Sequence, residues 1–151
     1  MRTVCRFAVA LMACSCLGIA LADTPSGLPS KTSCAASNNR EYTECLGTVL
    51  SELGPILSRY YNAKKNALRN LRSASGAPVM TQFPAEIEAA LASLNRAQAA
   101  WRKYSDAHCD MVAREYLAGT GRAAGFAKCM IDHTTSRIRD LSPGTNLPEP
   151  G

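Results

Sequence analysis

The chain has 151 residues, 17 Lys and Arg against 12 Asp and Glu, seven Cys and only two His. Its formal net charge of +5 is mild and spread along the sequence, which argues against a nucleic-acid-binding surface. The length suffices for one compact domain, and no internal repeat is visible.

The first residues are basic (Arg2, Arg6), Phe7 to Leu21 is apolar apart from Ser15, and Ala20-Leu21-Ala22 is a small-x-small site before polar Asp23-Thr24-Pro25. These are the parts of a cleavable secretory signal over residues 1–22. The apolar run is about 15 residues, short of the roughly 20 that span a bilayer, so no integral membrane segment is expected after cleavage. Leu11-Met12-Ala13-Cys14 loosely resembles a lipoprotein box, but Met12 fits poorly and apolar residues follow Cys14; lipid anchoring through Cys14 is the weaker reading. The expected location is outside the cytoplasm, and the resemblance described below makes that the periplasm or the exterior of a bacterial cell. Cleavage leaves 15 basic and 12 acidic residues and removes Cys5, Cys14 and Cys16, so four cysteines remain.

Residues 23–33 read as a flexible leader, 34–141 as the folded domain and 142–151, rich in Pro and Gly, as a frayed tail. No stretch alternates like a strand. The expected fold class is all-α, a small bundle of three to four helices with two disulfides. Asn38 or Asn39 caps a helix running toward Ser73. Gly54-Pro55 is expected to kink or break it, because proline lacks the amide that bonds to the preceding turn. Ser73 to Pro78, extending to Phe83, reads as a loop. A second helix starts at Pro84 and runs to about Ala118. At 100° per residue, Ile87, Leu91, Leu94, Gln98, Trp101, Ser105, His108, Cys109, Val112 and Tyr116 lie within about 60° of one line, an amphipathic stripe. Gly119-Thr120-Gly121 stops it. A third helix, about Ala123 to Leu141, turns Phe126, Met130 and Ile138 inward.

The cysteines test this layout. Disulfide Cα atoms lie about 4.4–6.8 Å apart. On one straight helix Cys109 and Cys129 would be about 30 Å apart at 1.5 Å per residue. A reversal is therefore required near residue 119, where the glycines are. Cys34 and Cys45 likewise need a reversal near Asn38-Asn39. The favoured pairing is Cys34–Cys45 and Cys109–Cys129, each closing a short loop and contributing roughly 3 kcal/mol on the chain-entropy model.

No catalytic residue set and no cofactor site is read. His108-Cys109-Asp110 cannot all face one ion, since neighbours on a helix diverge by about 100° and a disulfide sulfur is no ligand; no metal site is expected. His133, in Asp132-His133-Thr134-Thr135-Ser136, has no nucleophile elbow or third partner. Lys64, Lys65, Arg69 and Arg72 read as a solvated helix face. Trp101 reads as a core anchor and Tyr104 as a packing residue, and Gln98, on the same inner stripe as Trp101, needs a polar partner there.

One segment carries a resemblance. Leu94-x-x-x-Gln98-x-x-Trp101-x-x-Tyr104-x-Asp106-x-x-Cys109, then Gly119-Thr120-Gly121, Cys129 and Thr135-x-Arg137-x-x-x-Leu141, is similar to the signature of the bacterial LprI-like lysozyme inhibitor family. Cys34 and Cys45 match that family's N-terminal cysteine pair. The first half departs: Gly54 stands where the family has Asp and Ser58 where it has Asn, although Leu57 and Tyr61 fit. The resemblance implies a non-catalytic exported inhibitor that occludes the cleft of lysozyme or another cell-wall hydrolase. The alternative is a structural or interaction module of the envelope with a different partner. Animal lysozymes are strongly basic, so a tight inhibitor gains association rate from a negative face. The mature chain is net positive, which leaves either a local acidic cluster (Glu86 with Glu88, Asp106 with Asp110) or a basic plug aimed at the enzyme's carboxylates. Mass spectrometry of the exported product is expected to find Asp23 as its first residue, unlipidated; a diacylated Cys14 at the N-terminus would replace this reading with the anchored one.

Overall fold

The computed structural model describes residues 27–73, 75–116, 119 and 121–150; the signal segment and Cys14 lie outside them. Asn38 takes extended backbone angles and its side chain accepts from the Glu41 amide, which opens α1, Asn39–Arg69. Glu41 in turn accepts from the Ser37 hydroxyl at 2.8 Å, a reciprocal cap of the kind that satisfies orphan amides at helix starts. The Ser37 bond, with Asn38 adding, holds the Glu41 carboxyl below its usual range.

The break expected at Gly54-Pro55 is absent: α1 runs through Pro55 as one helix. Proline removes one backbone bond, a cost of about 3 kcal/mol. Against it stands the apolar stripe Leu46, Val49, Leu53, Leu57 and Tyr60, buried on both sides of the proline. Burying Leu57 and Tyr60 downstream is worth roughly 1.5–3 kcal/mol each, so the helix continues, with Pro55 on its exposed side.

The loop after α1 closes on itself: Ser73 N–H donates to Ala77 at 2.8 Å, and Gly76 sits at φ 81, a value other residues resist. A short 3-10 turn, Val79–Thr81, leads to α2, Pro84–Arg114, with Pro84 in the first turn, where its missing amide costs nothing. Helix α3, Gly121–Leu141, begins two residues before the expected Ala123. Helix α3 packs on both α1 and α2, which touch each other little. The core is therefore mainly an α1–α3 seam, with Leu46, Leu53, Ile138 and Leu141 almost fully enclosed. On α3 the inner face is Ala124, Ala127, Ile131, Thr134, Ile138 and Leu141. Phe126 and Met130, expected inside with Ile138, are only half-buried. Three helices and both favoured disulfides are present, Cys34–Cys45 and Cys109–Cys129, with Cα atoms 5.7 and 5.5 Å apart.

Parts of both terminal segments, read from sequence as a flexible leader and a frayed tail, contact the helices. Leu28 and Leu147 pack against the core, and Lys31 pairs with Asp132 of α3. Beyond α3, Ser142 is buried, Tyr60 donates its hydroxyl to the Pro148 carbonyl at 2.6 Å, and Lys64 donates to the Pro143 carbonyl. Leu147 supplies an apolar anchor that the Pro/Gly-rich composition conceals. Deleting residues 143–151 is expected to lower the unfolding free energy in urea by about 1–3 kcal/mol; a frayed tail would be removed without cost.

Candidate functional site

The residues singled out by sequence gather along the α2–α3 seam. Leu94 and Trp101 pack half-buried against the core. One turn from Trp101, Gln98 is 4% exposed, and an unpaired amide there would be costly. Its partner comes from the other helix: Arg137 Nε donates to Gln98 Oε1 at 3.0 Å. The Arg137 side chain is itself mostly covered, with Asp140 at 3.9 Å as the nearest carboxylate. Gln98 and Arg137 therefore fix the register of α2 against α3 at mid-length, and no spacing rule in the sequence joins them.

Three turns beyond Gln98, Cys109 is fully buried and bonded to Cys129. Beyond it, Tyr116 explains the glycines better than a turn does. A Cβ on Gly125 would come within 2.5 Å of the Tyr116 ring, and one on Gly121 within 3.0 Å. Gly121 opens α3 and, with Gly125, gives the ring a flat bed; Gly119 lies exposed in the connection between the helices.

The outward side of α2 holds the residues that packing does not explain. Tyr104, read from sequence as a packing residue, is 58% exposed; Asp106 is exposed too, about 200° further round the helix and so on the other flank of its outward side. Met111 and Tyr116 continue the exposed apolar surface toward the Cys109 end of the helix. Asp110 is engaged by Arg114 at 2.7 Å and by Arg122 of α3 at 3.5 Å. The Arg114 bond, with the positive charge of Arg122 adding, holds the Asp110 carboxyl below the usual carboxylate range. The interhelical contact with Arg122 is thus present above the ordinary carboxylate pKa and is lost as pH falls through the lowered one. Asp106 makes no ion pair among the described residues, so of the two acids expected to form a cluster it alone offers an uncompensated charge.

Tyr104 also begins an aromatic group that sequence reading missed. It stacks on His108, with ring centroids 5.5 Å apart and planes 18° from parallel, and meets His133 of α3 edge-on at 5.5 Å. The two imidazoles are 5.1 Å apart. They border a shallow cleft of about 320 Å³ with Val112, Tyr116, Lys128, Cys129 and Asp132. Considered singly, each histidine is an ordinary boundary residue. Only the relative phase of α2 and α3, set by the disulfide and the Gln98–Arg137 bond, brings them together.

A three-helix domain stapled by two local disulfides, with a polar bond through its α2–α3 seam and an exposed tyrosine outside, belongs to the class of small disulfide-locked helical modules. The lysozyme inhibitor LprI family model matches residues 31–141, and the chain belongs to that family. No curated protein and no solved structure matches significantly. The disulfides and the family fit an exported protein, and among the described residues no helix is long and apolar enough to cross a membrane. In a double-mutant cycle with Gln98→Ala and Arg137→Ala, urea unfolding is expected to give a coupling of about 1–2 kcal/mol, in the range for bonds to a charged group. Additive losses would assign the two residues independent roles.

Proposed function

We propose that this chain is an exported, non-catalytic inhibitor of lysozyme or a related cell-wall hydrolase, and that it acts by laying the outer side of α2, led by Tyr104, into the enzyme's cleft. Family membership supports the target class. The observation that carries the choice of surface is Tyr104. It is a signature residue, yet most of its area faces solvent, while Leu94, Gln98, Trp101 and Cys109 of the same signature turn inward. Exposed tyrosine supplies a large, rigid contact with a polar tip, the chemistry of interface anchors. Asp106, two residues on and so on the other flank of that outer side, adds a carboxylate suited to a basic enzyme surface despite the net positive charge of the chain. The remaining signature residues act here as scaffold: the disulfide, Gly121 and the Gln98–Arg137 bond hold α2 in a fixed attitude. Secretion through the 1–22 signal puts the domain in the periplasm or outside the cell, where both disulfides form and cell-wall hydrolases are met.

The test is a cell-wall clearing assay in which oxidised residues 23–151 are titrated against lysozymes of several types. Inhibition of at least one type is expected, and Tyr104→Ala should weaken it by roughly tenfold or more with helix content unchanged. Asp106→Asn should slow association and flatten its salt dependence. No inhibition of any type at tens of micromolar would remove lysozyme as the target. Inhibition that survives Tyr104→Ala would move the contact to another face.

A further inference from the structure

The His108–His133 pair has no part in the proposed inhibition beyond buttressing Tyr104, yet its surroundings resemble a ligand set. One donor atom each of His108, His133 and Cys129 lies within 4.8 Å of the other two. The histidines come from different helices, and none of their ring nitrogens is taken by a hydrogen bond among the described residues. In a tetrahedral zinc site, with Zn–N about 2.0–2.1 Å and Zn–S about 2.3 Å, donors stand about 3.5 Å apart. Closing the last ångström needs only side-chain rotation, because all three residues are half-buried at the edge of an open cleft. Tyr104 stacks on one ring and meets the other edge-on, so both imidazoles share one aromatic neighbour at the site's edge.

The obstacle is Cys129, whose sulfur is bonded to Cys109. While that bond stands, the site offers two imidazoles and no thiolate. We propose that His108, His133 and Cys129 form a binding site for a zinc-class divalent ion, made competent by reduction of the Cys109–Cys129 disulfide. The electron balance is that of thiol–disulfide exchange: a dithiol gives two electrons and two protons, becomes a disulfide itself, and leaves Cys109 and Cys129 as thiols. Cys129 then loses its proton on binding the ion, giving a two-histidine, one-thiolate set with a fourth position for water. The ion spans α2 and α3 at the level of the broken bond, so a metal clamp takes over from a covalent one. The ligand class follows from the donors: two imidazoles and a thiolate suit zinc, and oxygen-seeking calcium or magnesium find no partner in the set.

The decisive variant is Cys109→Ser, which leaves Cys129 as a free thiol without reductant and keeps Cys34–Cys45 intact. Anaerobic titration with cobalt(II), as a spectroscopic stand-in for zinc, is expected to bind one ion per chain. A thiolate-to-cobalt charge-transfer band should appear and be abolished by zinc. Adding Cys129→Ser should remove the band, and adding His108→Ala or His133→Ala should weaken binding about tenfold or more. Binding without the band, no binding, or binding indifferent to both histidines would overturn the proposal. If Cys109→Ser lacks helical structure without metal, circular dichroism decides: cobalt that restores the helices supports the site, and cobalt that does not overturns it.

Discussion

The Cys109–Cys129 bond joins two helices that run in opposite directions on either side of a glycine-rich connection, and the rest of the α2–α3 seam takes its register from it. With Cα atoms held 5.5 Å apart at that level, Gln98 finds Arg137, the Tyr116 ring settles on Gly121 and Gly125, and His108 meets His133. The first and last join residues far apart in sequence, 39 and 25 positions, and all three fail if one helix slides by a turn against the other. The clamp therefore fixes the attitude of the outer face of α2 as well as closing a loop, and that face carries Tyr104 and Asp106.

The seam between α1 and α3 works differently. It has no covalent tie and consists of close-packed aliphatic side chains, Leu46 and Leu53 against Ile138 and Leu141. Such packing is insensitive to small polar changes and tolerant of a proline on the outer side of α1. It draws in both terminal segments through Leu28 and Leu147. The domain thus has one face fixed by covalent and polar bonds and one held by area alone, and the proposed contact surface lies on the first.

Much of this arrangement was legible in the sequence, for identifiable reasons. The inner stripe of α2 follows from helical spacing, and it placed Ile87, Leu91, Gln98, Ser105 and Cys109 correctly. The cysteine pairing followed from chain geometry, since a straight helix cannot bridge it. At Pro55 the helix does not break, because a local rule about one missing hydrogen bond is outweighed by burial on both sides, a balance that only tertiary packing shows. The contacts of the tail, Leu147 against the core and the Pro148 carbonyl on the Tyr60 hydroxyl, are hidden by its Pro- and Gly-rich composition. Tyr104 was taken for a packing residue since an aromatic near an apolar stripe usually is; its angle on α2 sets it just outside. The His108–His133 pair and the Gln98–Arg137 bond depend on how two helices are phased against each other, and one-dimensional spacing does not contain that phase.

Both disulfides are local, joining cysteines 11 and 20 residues apart. Four cysteines admit three pairings, and here the correct one joins each cysteine to its nearest neighbour along the chain. A polypeptide threaded into an oxidising space from its N-terminus presents Cys34 and Cys45 together before Cys109 appears, then Cys109 and Cys129. Oxidation in order of arrival yields the native bonds with no wrong pairing to undo. The domain can thus mature where an oxidant is present but a disulfide-reshuffling catalyst is scarce, and its yield on export should depend on the supply of oxidant rather than on isomerase.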